Sequence, residues 1–304
     1  MSSRPSGSPQ PDVPGVPGCP GVPGVPAVPA GSGWSVNCSI LLTDLPLLER
    51  PAAAAAAGFG AVEFWWPFDS AVPDDLAVGA FLRAVSDAGV QLTGLNFYAG
   101  NMAAGERGVV SSPSRIKEFR ASLDTAVGIA RLTGCTGFNA LYGIRETGIS
   151  EAEQDATAAE NLMVAADAVA HLGGTVLVEP LSGVPGYPLR TAADCFAVID
   201  RVRSGGMPNI ALLADFYHLA VNGEDVPALI AGHAGGFGHI QIADAPGRGS
   251  PGTGGLPIAR WILAARAAGY TGPISLEYQS PSAEAFNWLQ LPASDWADLK
   301  EHIA

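Results

Sequence analysis

Four short apolar runs in the second half of this chain carry an oxygen-bearing side chain at, or one residue before, their C-terminal end. They read Val176-Leu177-Val178-Glu179-Pro180, Ala211-Leu212-Leu213-Ala214-Asp215, His239-Ile240-Gln241-Ile242 and Ile274-Ser275-Leu276-Glu277-Tyr278. Short apolar runs bounded by turn or helix signals are how buried parallel strands read, because both faces of such a strand are covered. In a closed (β/α)8 barrel all strands point the same way, and their C-terminal ends gather on one rim. Two Glu, one Asp and one Gln on that rim can surround a single divalent cation with oxygen ligands. The pattern predicts a barrel with a metal site at its mouth, and such a site suggests carbonyl chemistry.

The rest of the chain keeps the alternation. Ser35–Leu41 reads as the first strand, followed by an Ala-rich helix over Leu45–Ala57 that stops at Gly58. Ala61–Phe64 is the second strand, Asp74–Ala88 the second helix with Gly89 as its stop, and Val90–Leu95 the third strand. A long loop through Gly100–Pro113 leads to a helix over Ser114–Thr133 and the short strand Thr136–Asn139. Ser150, with Glu153 three residues on, is a capping-box start for a helix running to Leu172. Strand 5 ends at Glu179, a helix spans Ala192–Arg203, strand 6 ends at Asp215, and a helix follows over Val226–His233. Strand 7 is Phe237–Ile242; the Gly-rich loop Ala245–Gly255, a helix over Leu256–Ala268, strand 8 ending at Glu277 and a last helix over Ala283–His302 complete the chain. Eight β/α pairs within residues 34–304, with no interrupting second domain, favour a single (β/α)8 TIM barrel over an open doubly wound sheet. No Gly-x-Gly-x-x-Gly turn follows the first strand, which weakens the dinucleotide-binding alternative.

Residues 1–33 are a different material. Proline recurs at every third position from Pro14 to Pro29, with Gly15, Gly18, Gly21 and Gly24 between. So few triplets cannot make a collagen stem, and the segment reads as a disordered, partly polyproline-II tail. It has no basic start followed by an apolar stretch, so it does not read as a signal peptide. At 304 residues and 48% hydrophobic, the chain as a whole can bury a large core. A net charge of −13 argues against a nucleic-acid groove, which needs clustered Lys and Arg. The four cysteines show no Cys-x-x-Cys spacing, so a reducing cytoplasm fits better than a disulfide framework. No apolar run reaches the roughly 18 residues of a membrane span.

One acidic residue at a strand end is ordinarily a helix cap or a solvated loop residue. Four oxygen-bearing residues from strands 5 to 8 are harder to explain that way, because buried carboxylates repel one another unless a cation or protons neutralise them. The all-oxygen set suits Mg²⁺ or Mn²⁺ better than Zn²⁺, which favours nitrogen and sulfur.

Several segments carry a resemblance. Gly60-Ala61-Val62-Glu63-Phe64, Ala104-Gly105-Glu106-Arg107-Gly108, Val178-Glu179-Pro180, Asp215-Phe216-Tyr217-His218, Gly238-His239-Ile240-Gln241-Ile242-Ala243-Asp244 and Pro251-Gly252-Thr253-Gly254 resemble hydroxypyruvate isomerases, of the xylose-isomerase-like barrel superfamily. The similarity runs over about residues 34–290, and the His-Ile-Gln-Ile-Ala-Asp run followed by Pro-Gly-Thr-Gly is its most specific part. It implies that Glu179, Asp215, Gln241 and Glu277 hold the metal and that Glu179 and Glu277 double as the acid/base pair. It further implies a small hydroxy-oxo acid substrate and a place in glyoxylate metabolism. Interconverting hydroxypyruvate and tartronate semialdehyde moves one proton between neighbouring carbons through an enediolate.

His218, three residues past Asp215, resembles the superfamily's substrate-binding histidine. Arg248 has the fork geometry to pair a substrate carboxylate. His239 should share a strand face with Gln241. Trp65 and Trp66 could wall the pocket, Glu106-Arg107 could form a lid, and Glu63 faces either pocket or cap without being taken as a ligand. The nearest rivals are a ketose 3-epimerase, which commonly places His where this chain has Gln241, and a 2-oxotetronate isomerase. An endonuclease-like member would need a histidine cluster that five His poorly supply. A non-catalytic sugar-acid binding barrel would have no use for both glutamates. A homo-oligomer is compatible with the sequence, which does not fix the assembly.

Overall fold

The structure is a computed structural model that describes residues 33–290. Nearly all of the expected N-terminal tail, and the part of the expected last helix beyond residue 290, lie outside the described residues. Eight parallel strands close into a barrel in chain order: β1 Trp34–Asn37, β2 Ala61–Phe64, β3 Gln91–Asn96, β4 Gly137–Asn139, β5 Thr175–Val178, β6 Ile210–Asp215, β7 Phe237–Ile242 and β8 Ile274–Leu276. Pairing of Trp34 with Ile274 and of Val36 with Leu276 seals β1 to β8. The helices are α1 Arg50–Ala56, α2 Asp75–Asp87, α3 Ile116–Thr133, α4 Glu151–Ala170, α5 Ala192–Ser204, α6 Phe216–Val221, α7 Val226–His233 and α8 Ile258–Ala267. This is a TIM barrel, as the alternation predicts.

Local chemistry accounts for where the helices begin. Asp74 accepts from the Ala77 N–H, and Asp225 accepts from the Ala228 N–H, each satisfying an orphan donor of a first turn. Ser150 caps α4 through the Glu153 N–H, but the reciprocal box lies elsewhere, at Thr191 and Asp194 of α5. The first helix begins as a 3-10 turn, Leu47–Glu49, before α1 takes over with a proline in its first turn. Two further departures bear on function. Strands β5 and β8 end one residue before their glutamates, so Glu179 and Glu277 open the loops, although the Glu277 N–H still donates to Ile242 O at 3.1 Å. Helix α6, which no turn signal announces, starts directly after Asp215. The expected last helix is, within the described residues, a pair of 3-10 turns, Ser282–Glu284 and Asn287–Gln290.

The outer faces of the strands meet the helices in an apolar layer. Phe97 and Phe138 stack at 5.4 Å, and Phe119 of α3 packs edge-on against Phe97 at 5.9 Å. The barrel interior is different. Ser35, Asn37, Glu63, Asn139, His239, Gln241 and Ser275 are all buried, together with Glu179, Asp215 and Glu277. Buried polar groups are costly unless each finds a partner, so their partners define what the interior is built to do. Among the described residues, no helix is long and apolar enough to cross a membrane.

Candidate active site

Asp215 and Gln241 lie on β6 and β7 as register partners, and Glu179 and Glu277 directly follow the ends of β5 and β8. Ligand atoms of Glu179, Asp215 and His218 lie within 4.8 Å of one another. Arg248 ties in Glu277: its Nη2 donates to Glu277 Oε2 at 2.7 Å and reaches Asp215 Oδ2 at 3.5 Å. A cavity of about 220 Å³ opens over this group, lined by Trp65, Arg107, Glu179, His218, Arg248 and Glu277 among others. A larger cavity of about 490 Å³ lies at the opposite pole, among strand starts such as Gly60, Thr136 and Thr175, and reaches none of the four.

Each side chain is held by specific donors. Asn139 Nδ2 donates to Glu179 Oε2 at 2.7 Å, and burial, reinforced by the Asp215 charge, pushes the Glu179 carboxyl above the usual carboxylate range. Glu277 Oε1 accepts from Trp65 Nε1 at 2.8 Å and Asn37 Nδ2 at 3.0 Å. Burial raises the Glu277 carboxyl well above its ordinary value, against the opposing pull of Arg248. Asp215 Oδ1 caps α6 by accepting the Tyr217 and His218 N–H groups at 2.8 and 3.3 Å, leaving Oδ2 toward the cavity residues.

His218 Nδ1 accepts the Ser182 backbone N–H at 3.0 Å and lies 2.7 Å from Ser182 Oγ. An Nδ1 that accepts puts the proton of the neutral ring on Nε2. That atom stands 3.6 Å from Asp215 Oδ2 and 4.0 Å from Glu179 Oε1. Burial pulls the ring to about 4, so His218 is a neutral donor aimed among the carboxylates.

The donor set fits a hard divalent cation. Gln241 Nε2 donates to Glu63 Oε1 at 2.7 Å, which leaves Gln241 Oε1 buried without a hydrogen-bond partner. A partnerless amide oxygen near a cluster of buried carboxylates is what an oxygen-coordinated cation would satisfy. A proton competes for this site wherever Glu179 is protonated, and the ligand is the deprotonated form. Apparent Mn²⁺ affinity is therefore expected to rise with pH between about 5 and 8, by up to about tenfold per pH unit for each proton displaced. Titrations at several pH values check this; a flat profile would mean that no raised carboxyl binds the ion.

The remaining residues divide. Arg248 is committed to two carboxylates, sits at φ 53°, and lies over the Tyr217 ring at 5.5 Å. Its loop is wound on Asp244, whose carboxylate accepts from the N–H groups of Ala245, Gly252, Gly254 and Leu256 at 2.8–3.0 Å. A Cβ at position 254 would stand 2.2 Å from Ala245 O, so only glycine lets that turn close. Trp65 walls the cavity, whereas Trp66 turns away and donates to Ser70 O. Arg107 lines the mouth, braced on Met102 O and Glu106 O, while Glu106 pairs with Arg115. His239 donates from beneath to Glu63 at 2.7 Å. Burial opposes the ionised form of Glu63, but His239, Gln241 and Ser275 outweigh it and hold that carboxyl below the usual range. Asn37, Asn139 and Ser182 are absent from the candidates drawn from the sequence. A signal was present for two of them, since β1 and β4 each end in asparagine.

Residues 51–300 match the family described as xylose isomerase-like TIM barrel. The chain belongs to that family. A putative hydroxypyruvate isomerase of Streptomyces coelicolor is 52% identical over 86% of this chain and 96% of its own length. A 2-oxo-tetronate isomerase of Cupriavidus necator is 34% identical and the hydroxypyruvate isomerase of Escherichia coli 31%, each over 84% of this chain and 97% of its own length. The structure of an AP endonuclease, family 2, from Brucella melitensis superposes with a TM-score of 0.76 at 33% identity, covering 84% of this chain and 97% of that one. A D-allulose 3-epimerase from Methylomonas, at 20% identity and TM-score 0.66, shares the fold. The resemblance to hydroxypyruvate isomerases read from the sequence is borne out, and kinship of this extent makes this xylose isomerase-like barrel an isomerase.

Proposed function

We propose that this barrel interconverts hydroxypyruvate and tartronate semialdehyde by moving one proton between adjacent carbons. The observation that carries the reading is the pair Glu179 and Glu277: two buried carboxyls with raised affinity for protons, lining one small cavity that His218 and Arg248 also line. An acid and a base that exchange a proton near neutral pH need affinities of this kind. Glu179, Asp215, Gln241 and Glu277 would hold Mg²⁺ or Mn²⁺, which when bound supplies a Lewis acid for charge developing on the substrate oxygens.

The chain's own groups do the rest. One glutamate removes the C3 proton of hydroxypyruvate and the other delivers a proton to C2, while the proton of the C3 hydroxyl passes to the C2 oxygen, so that ketone and alcohol exchange places. His218 Nε2–H donates to a substrate oxygen as a neutral ring, its orientation fixed by Ser182. Arg248 pairs the substrate carboxylate with the guanidinium edge not used on Glu277. The indole of Trp65 shields one side from water while holding Glu277 Oε1. A small cavity and a carboxylate clamp favour a short oxo acid over a long uncharged ketose. The 34% identity to a 2-oxo-tetronate isomerase supports a four-carbon oxo acid as the second reading.

Turnover of hydroxypyruvate and of a 2-oxotetronate, measured on protein of known metal content, tests both. Arg248→Ala is expected to weaken catalysis on hydroxypyruvate at least about tenfold more than on uncharged glyceraldehyde, because removing one partner of a desolvated charge pair costs roughly 2–5 kcal/mol. Equal losses on both compounds would make Arg248 a support for its loop. No turnover of either acid by metal-loaded protein would end the proposal.

A further inference from the structure

Glu63 gathers three side-chain donors inside the barrel, and none of the proposed proton transfer draws on it. It lies on β2, where pairing with β3 shifts register between Val62 and Glu63. The extra residue is Thr93 of β3, so the shift brings Gly94 rather than Thr93 opposite Glu63. A Cβ at Gly94 would stand 3.0 Å from Glu63 Oε2 and 3.1 Å from Glu63 Cβ. The shift thus places a glycine where a side chain would crowd the carboxylate inside the barrel. There Glu63 accepts from Asn37 Nδ2 at 2.9 Å, His239 Nε2 at 2.7 Å and Gln241 Nε2 at 2.7 Å.

A carboxylate can only accept, so every group facing it must donate. Gln241 meets that demand by giving Glu63 its NH₂, which leaves Oε1 without a partner. An amide can otherwise turn over and present NH₂, which repels a cation. Asn37 uses the same NH₂ to reach Glu277 Oε1 at 3.0 Å, so the acid also steadies a second ligand candidate.

We propose that Glu63 is a positioning residue that fixes the Gln241 amide with its oxygen free for the cation and, through Asn37, holds Glu277 in place. The proposal deepens the cation reading and rests on it. Glu63→Gln replaces two acceptor oxygens with one oxygen and one NH₂, so Gln241 can pair either way round. Mn²⁺ affinity of the full-length variant, measured by calorimetry, is expected to fall about tenfold or more, the scale seen when a ligand's hydrogen-bonding partner is removed. The visible spectrum of the Co²⁺-loaded variant should shift as well.

The melting temperature in EDTA reports loss of packing separately. A lower melting temperature with unchanged Mn²⁺ affinity and unchanged Co²⁺ spectrum would make Glu63 a structural brace and overturn the proposal. Wild-type protein that takes up no Mn²⁺ would overturn the cation reading, and the proposal with it. Should Glu63→Gln not fold, Glu63→Asp keeps an acceptor-only group drawn back by one methylene. Weakened Mn²⁺ binding by that variant supports the positioning role, and wild-type affinity sinks it.

Discussion

Replacing Glu179 or Glu277 with Gln is expected to lower hydroxypyruvate turnover about 10²-fold or more, the usual scale of general acid–base assistance. Glutamine keeps an oxygen for the metal and the volume of the side chain, but it cannot take a proton. In Glu179→Gln the amide oxygen still accepts from Asn139, so the fold should survive. Glu277→Gln keeps the Asn37 and Trp65 donors satisfied but can set its NH₂ against the Arg248 guanidinium, so it should be the less stable of the two. Solvent deuterium separates their roles. The variant lacking the C3 base should not exchange the C3 hydrogen, whereas the variant lacking the C2 acid should exchange it without forming product. Near wild-type turnover in both variants, with metal bound, would sink the mechanism.

Exhaustive chelation is expected to abolish activity, and Mg²⁺ or Mn²⁺ to restore it. The proposed ligands, three carboxylates and one amide oxygen, are hard donors that match these ions. Gln241→His should move the preference toward Co²⁺, because an imidazole nitrogen replaces the amide oxygen while its other ring nitrogen can still donate to Glu63. Full activity of protein shown to be metal-free would exclude the cation from the reaction.

The architecture was legible because parallel strands covered on both faces leave continuous apolar runs, and here three of the runs finish in acids. Strands β2 and β7 and helix α7 fall where the pattern puts them. Helix α6 did not, since Asp215 ends a strand and caps a helix at once, leaving no loop whose composition could announce it. The site was legible one residue at a time. What single positions could not carry is which acid pairs with which donor. Asn37 and Glu277 are 240 residues apart, and Glu63 and Gln241 are 178 apart, so their hydrogen bonds follow from barrel closure. Arg248 was expected to face the substrate; its pairing with Glu277 comes from a left-handed backbone that spacing does not reveal.

The loop wound on Asp244 has a consequence for how a ligand would be met. Four backbone N–H groups converge on one carboxylate, so the segment that carries Arg248 is already immobilised before anything binds. Association then costs little conformational entropy on that side, since the guanidinium need not be recruited from a floppy ensemble. That stiffness also sets a boundary on adaptation. A bulkier acid cannot be accommodated by letting this wall relax, so a change of substrate length would have to be absorbed by the rest of the lining, such as Met102 and Arg107.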